Sequence, residues 1–295
     1  MYFGPPPQII RTEVFSALPD KFRAARDGKR RNFLEGPSFD REGNLFCVDI
    51  HMGRIYRISP RGEWDIVVEY EGEPNGLKIH RDGRMFITDH RQGVLLLDPK
   101  KGSVTPFLEG PAKGERFKGV NDLIFASNGD LYFTDQGQTG LHDPTGCVYR
   151  YTADGHLQCL IDTVPSPNGI ILNVRETELF VAVTRANCVW RIPLDGAPLV
   201  SKVGLFVQLF SAGPDGLALD EEGNVIIAHP GAGFVWGYSK RGVPLYQVES
   251  CRGEMMTNLA YGGAERKTLY ITESKTQTIL AAQMPVAGKL MYSHA

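Results

Sequence analysis

Two carboxylates and four carboxamides recur in this chain at one position of a repeated pattern. They are Glu35, Asn75, Asn121, Asn168, Asp215 and Asn258, which open the runs Glu35-Gly-Pro-Ser-Phe, Asn75-Gly-Leu-Lys-Ile, Asn121-Asp-Leu-Ile-Phe, Asn168-Gly-Ile-Ile-Leu, Asp215-Gly-Leu-Ala-Leu and Asn258-Leu-Ala-Tyr. Brought onto one ring, these side chains offer oxygen donors only. Such a set suits a hard cation: Ca²⁺ is favoured, Mg²⁺ or Mn²⁺ can substitute, and Zn²⁺ fits less well without His or Cys. Glu35 and Asp215 would neutralise a divalent charge, and the ion would polarise a carbonyl or phosphoryl oxygen. Asp215 or Glu35 would then act as base or nucleophile. The competing reading is structural, because Asn-Gly and Asp-Gly are common turn dipeptides.

The elements that must position these residues follow from their spacing. The six heads lie 40, 46, 47, 47 and 43 residues apart. A period of that length built from strands signals propeller blades. In four repeats a turn glycine follows eight residues after the head (Gly43, Gly83, Gly129, Gly223), within DREGN, HRDGR, ASNGD and DEEGN. Second strands follow as LFCVD, MFITD, LYFTD, LFVAV, VIIAH and LYITE, and third strands as RIYRIS, GVLLLD, CVYRYT, CVWRIP, FVWGYS and TILAAQ. The expected fold is all-β: a six-bladed β-propeller with four-stranded blades and a central metal-binding tunnel, one domain over residues 1–295. A strand at about residues 9–15 precedes the first head, and the spacing predicts that it closes the last blade, which spares the ring an open edge. Asp49, Asp89, Asp135, Val183, His229 and Glu273 end the second strands, near the same rim as the heads. Two longer polar loops are candidate substrate contacts: 109–120 precedes the third head, and 136–146 separates the second and third strands of the same blade. His142 lies in the second of them, and His229 is a candidate proton carrier or a hydrogen-bonded rim residue.

Composition narrows the partners. A net charge of −2 gives no nucleic-acid footprint, and the basic run Lys21–Arg31 reads as a solvated surface segment. Five cysteines without CxxC spacing fit reduced thiols in the cytoplasm. No apolar run is long enough for a membrane span. A small-molecule partner and a monomer or small homo-oligomer are expected.

The segments FLEGPSFDREGNLFCVDI, KGVNDLIFASNGDLYFTD, PSPNGIILN and GPDGLALDEEGNV resemble the regucalcin and gluconolactonase family and are also similar to diisopropyl fluorophosphatase, and the local form Lys118-Gly-Val-Asn-Asp looks closer to the fluorophosphatase and drug-responsive-lactonase branches. The resemblance covers roughly residues 30 to 285. It implies a six-bladed propeller with a divalent ion, usually Ca²⁺, held by Glu35, Asn121, Asn168 and Asp215, and with Asn75 close to the metal. It further implies lactone opening, with Asp215 as general base or nucleophile. Sugar lactonases carry an Arg two residues before the third-blade Asn; here Gly119 stands there, preceded by Lys118, so a simple aldonolactone is not the expected substrate. Ala218 replaces an Asp of the fluorophosphatase's second calcium site. Lys118, His142, His229, Asn75 and Asn258 are the candidate substrate-binding residues. The expected function is a metal-dependent lactonase. Alternatives are hydrolysis of a phosphorus-centred or other activated ester, a non-catalytic binding propeller, or a condensing propeller related to strictosidine synthase.

Overall fold

The computed structural model describes residues 4–26, 28–194, 200 and 202–295. The first three residues, residue 27 of the basic run and a short stretch before the fourth blade's outer strand lie outside the described residues. Six sheets follow one another along the chain, and in the first four the antiparallel strands run from innermost to outermost in sequence order, while the last two each take an outer strand from the N-terminal segment. The innermost strands are Leu34–Phe39, Pro74–Ile79, Val120–Phe125, Pro167–Leu172, Leu217–Leu219 and Met256–Gly262. Each touches the next, and the sixth touches the first, so the ring closes. The protein is a six-bladed β-propeller.

Alternation along each strand buries one set of side chains against the blade before and the other against the blade after. The second strand of blade one, Leu45–Asp49, is accordingly buried at every position. The core is therefore divided into wedges, one between each pair of blades. Tyr56, Trp64 and Ile279 meet between blades six and one, and Phe86, Phe125 and Phe133 between blades two and three. Gly43, Gly83, Gly129 and Gly223 all adopt positive φ in their hairpins, as the turn sequences require.

The predicted N-terminal strand is divided. Glu13–Ala17 pairs antiparallel with Thr278–Gln283 as the outer strand of blade six. Gln8–Arg11 instead runs parallel to Pro244–Glu249, as a fifth strand on blade five. Thr12 fixes the crossover: its hydroxyl donates to the Glu249 carbonyl (2.9 Å) and accepts the Cys251 N–H (2.9 Å). The basic run forms a 3₁₀ turn (Asp20–Phe22) and a two-stranded hairpin (Ala25–Arg26 with Arg30–Arg31). Among the described residues no helix is long and apolar enough to cross a membrane.

One end of the axis holds an apolar cavity of about 390 Å³, lined by residues three and four positions beyond the heads, among them Ile79, Ile124, Ile171 and Leu219. Ala218 lines it too. The C-terminal segment crosses that end: Lys289 bonds Glu176 (3.0 Å), Tyr292 stacks on Phe125, and Arg41 holds the Ser293 carbonyl (2.7 Å).

Candidate metal centre

The heads reach the axis because each sits at an irregularity in its strand. Gly36 and Pro37 both face Cys47, since pairing jumps from Glu35–Val48 to Ser38–Phe46. The same shift occurs at Asn121, between Val120 and Leu123, and at Asn168, between Pro167 and Ile170. At Asp215 the ladder is also doubled, with Ala228 accepting from the Asp215 N–H (3.0 Å) and donating to the Gly216 carbonyl (2.9 Å). A bulge of this kind re-aims one side chain out of the alternation. Gly36, at φ +56°, could carry no side chain, because a Cβ would lie 2.7 Å from the Asn75 carbonyl of the next blade.

Hydroxyls stitch the heads into a ring. Thr88 donates to the Asn121 carbonyl (2.5 Å), Thr134 to that of Asn168 (2.7 Å) and Thr184 to that of Pro214 (2.8 Å). Thr257 and Ser274 both donate to the Leu34 carbonyl (3.0 and 2.6 Å), closing blade six on blade one. The rim acids anchor the loops that deliver the heads. Asp49 accepts the Phe33 N–H (3.0 Å), Asp89 that of Glu73 (2.9 Å), Asp135 that of Gly119 (2.7 Å) and Glu273 that of Met255 (3.1 Å). They are committed to the backbone.

Within the ring Glu35 is almost fully buried, and its Oε2 accepts from Gly36 N–H (2.9 Å) and Asn258 Nδ2 (2.9 Å). Burial, with the Asp122 carboxylate adding repulsion, lifts its pKa to about 7, against the pull of those two donors. Asp215 is half-buried; burial first, then Glu35 and Asp122, raise its pKa well above its ordinary value, while a hydrogen bond from Asn168 opposes the rise. Glu35 and Asp215 therefore each feel the repulsion of Asp122, and Asp215 also that of Glu35. Asn121 commits its amide nitrogen to Gln136 Oε1 (2.9 Å), which leaves its carboxamide oxygen free. Asn75, half-buried, makes no side-chain hydrogen bond among the described residues. The donor set fits a hard divalent ion: two carboxylates and the oxygens of Asn121 and Asn168, with no nitrogen or sulfur ligand. Among the described residues no cluster of three or more His, Cys, Asp or Glu has metal-binding spacing, so the carboxamides are essential to any such site.

The remaining candidates divide. Asn258 is spent inside the ring, its nitrogen on Glu35 and its oxygen on the Leu259 N–H (2.8 Å), so it positions Glu35 rather than meeting a substrate. His229 is fully buried. Its Nδ1 accepts from Trp236 Nε1 (3.2 Å), and its Nε2 therefore donates to the Ser211 carbonyl (3.0 Å). Burial also lowers its pKa, so it is a neutral anchor of the fifth-blade loop and carries no proton to the site. Lys118 is exposed and its ammonium rests on the Thr145 carbonyl (2.5 Å). His142 is exposed on a loop that walls a polar cavity of about 530 Å³ with Gln136, Ser166 and Arg185.

Three residues at the site were not anticipated. Asp122 follows a head directly, and Lys78 Nζ lies 3.8 Å from its Oδ1, with Asp122 2% and Lys78 18% exposed. His90 packs against Gly119 so closely that a Cβ there would collide with the imidazole. The Asp after Asn121, where four other heads are followed by Gly, was the available signal for the first.

The closed ring of six blades, with its heads on neighbouring innermost strands, defines a six-bladed propeller. The chain belongs to the SMP-30/gluconolactonase/LRE-like family, whose pattern matches residues 33–275. It is 31% identical over 229 residues to lactonase drp35 of Staphylococcus aureus (strain MRSA252), covering 73% of this chain and 69% of that protein. Regucalcin, a calcium-binding protein from Agrobacterium tumefaciens, superposes with a TM-score of 0.79 at 22% identity over 97% of this chain and 99% of its own. A gluconolactonase from Xanthomonas campestris superposes with a TM-score of 0.76 at 21% identity over 86% of each chain.

Proposed function

We propose that this protein is a divalent-cation-dependent lactonase whose ion is held by Glu35, Asn121, Asn168 and Asp215. The observation that carries the reading is the convergence of a buried and a half-buried carboxylate, the first repelling the second, with two carboxamides whose oxygens have no hydrogen-bond partner among the described residues. Membership of the family and the likeness to lactonase drp35 support lactone opening. A scaffold has no physical reason to crowd acids on its own axis, since burying unpaired charge is costly.

Ca²⁺ suits the all-oxygen set best. When bound, a cation would polarise the lactone carbonyl and favour the ionised forms of Glu35 and Asp215. Asn168 orients Asp215 through its amide, and Asn258 and the Gly36 N–H hold Glu35. Asp215 would take the proton of an attacking water, or attack the carbonyl carbon itself. Gly119 offers no side chain to sugar hydroxyls and the His90 ring fills the space beside it, which favours a lactone other than a simple aldonolactone.

The test is hydrolysis of sugar, aliphatic and aromatic lactones by native protein and by Asp215→Asn. The reading expects at least one lactone to be opened and its turnover to fall by about 10²–10⁴-fold in the variant. Near-native turnover in the variant would remove Asp215 from the mechanism. Failure on every lactone, with turnover of activated phosphorus esters, would move the substrate class.

A further inference from the structure

We propose that the polar cavity beside the ring binds an anionic group on the substrate, and that Arg185 selects for it. This rests on the lactonase reading above and deepens it. The cavity, about 530 Å³, contains no head residue in its lining and is joined to the ring through Gln136, which bonds Asn121. Gln136 forms one wall; its side chain takes the Asn121 amide on its oxygen (2.9 Å) and donates to Ser166 Oγ (2.9 Å), two residues before Asn168. Arg185 forms the other, on a 3₁₀ turn (Thr184–Ala186) pinned to the Asp215 loop by Thr184 on the Pro214 carbonyl (2.8 Å) and by the Gly213 N–H on Asn187 Oδ1 (3.1 Å).

The lining explains the sign of the charge. It contains no carboxylate, while it carries Arg185 and His142. Arg185 is exposed at the cavity, and its guanidinium makes no ion pair or hydrogen bond among the described residues, which leaves it available to a ligand. The walls are built to stay in place. Thr139 accepts the Ser166 N–H (3.1 Å), and Ser166 is held at φ +65°, a conformation that costs a non-glycine residue energy and concentrates at functional sites. A planar guanidinium facing a polar cavity next to a carbonyl-polarising centre matches a carboxylate, or another small oxyanion, borne by the lactone.

Two γ-lactones that share one ring, one bearing a methyl group and one a carboxylate at the same carbon, separate the possibilities. The proposal expects the native enzyme to favour the carboxylate form, and Arg185→Gln to reduce the ratio of kcat/KM for the anionic over the neutral lactone by about 10–100-fold, with partial recovery in Arg185→Lys. An equal ratio in native and Arg185→Gln protein would overturn it. If neither lactone is opened, calorimetric binding of the carboxylate lactone decides. Binding lost in Arg185→Gln would keep the anion site and refute the lactonase reading, whereas binding indifferent to Arg185, or absent, would refute the anion site.

Discussion

Glu35 makes the stability of the cation-free protein depend on pH in an unusual direction. Its carboxyl is raised from the ordinary 4.5 to about 7, chiefly by burial. Between those values the folded protein holds a proton that the unfolded chain releases, so stability falls as pH rises and levels off above about 7. A displacement of that size corresponds to about 3 kcal/mol. For a chain of this length it should lower Tm by roughly 5 °C between pH 4.5 and pH 7. Asp215, raised as well, extends the loss to higher pH. Ordinary salt-bridged acids such as Asp82 and Asp130 act in the opposite sense, so the contribution must be isolated. Thermal melts from pH 4 to 8 in chelator, on native protein and Glu35→Gln, isolate it by difference. The native protein should lose stability relative to the variant as pH rises, and saturating Ca²⁺ should cancel the loss, because a dication favours the ionised carboxylates. A difference curve flat from pH 4.5 to 7 would refute the view that the ring stores unbalanced negative charge.

Other changes test separate parts of the site. Gly216→Ala drives a Cβ into the Asn258 side chain that holds Glu35; it should cost about 1–3 kcal/mol in denaturant unfolding and weaken calcium binding in calorimetry. Asn258→Ala removes that same hydrogen bond without a clash and should weaken calcium affinity about 10–100-fold, the usual effect of losing a ligand's supporting partner. His229→Leu strips two hydrogen bonds from a buried neutral ring and should cost about 1–3 kcal/mol, with turnover within a few-fold of native. Because burial depresses the pKa of His229, native stability owed to it is lost as pH falls below its ordinary 6.5, and the variant should lack that acid limb.

Much of this organisation was legible because repeats turn one weak signal into six. Asn75-Gly alone says little, but heads at a common distance from Gly43, Gly83, Gly129 and Gly223 specify blades and place the heads on one rim. The donor chemistry of Glu35, Asn121, Asn168 and Asp215 follows from side-chain type once the ring is assumed. What stayed hidden depends on pairing choices that no local pattern encodes. Residues 8–11 and 13–17 are both plausible strands, and only the bonds of Thr12 to Glu249 and Cys251 send them to different blades. His90 and Gly119 are 29 positions apart and meet only after two blades pack. His229 looked available because it ends a strand at the rim, yet it replaces an acid in a structural role, holding the Ser211 carbonyl where Asp49 and Asp135 hold N–H groups. Asn258 shares the heads' position, and its two polar atoms are spent within the ring.

The most direct test of the central claim is a calcium titration of chelated protein, followed at once by binding calorimetry and by lactone hydrolysis. The account predicts one ion per chain, hydrolysis that returns in proportion to occupancy, and loss of both in Glu35→Gln. Full lactone hydrolysis in chelator, or calcium binding untouched by Glu35→Gln, would contradict it.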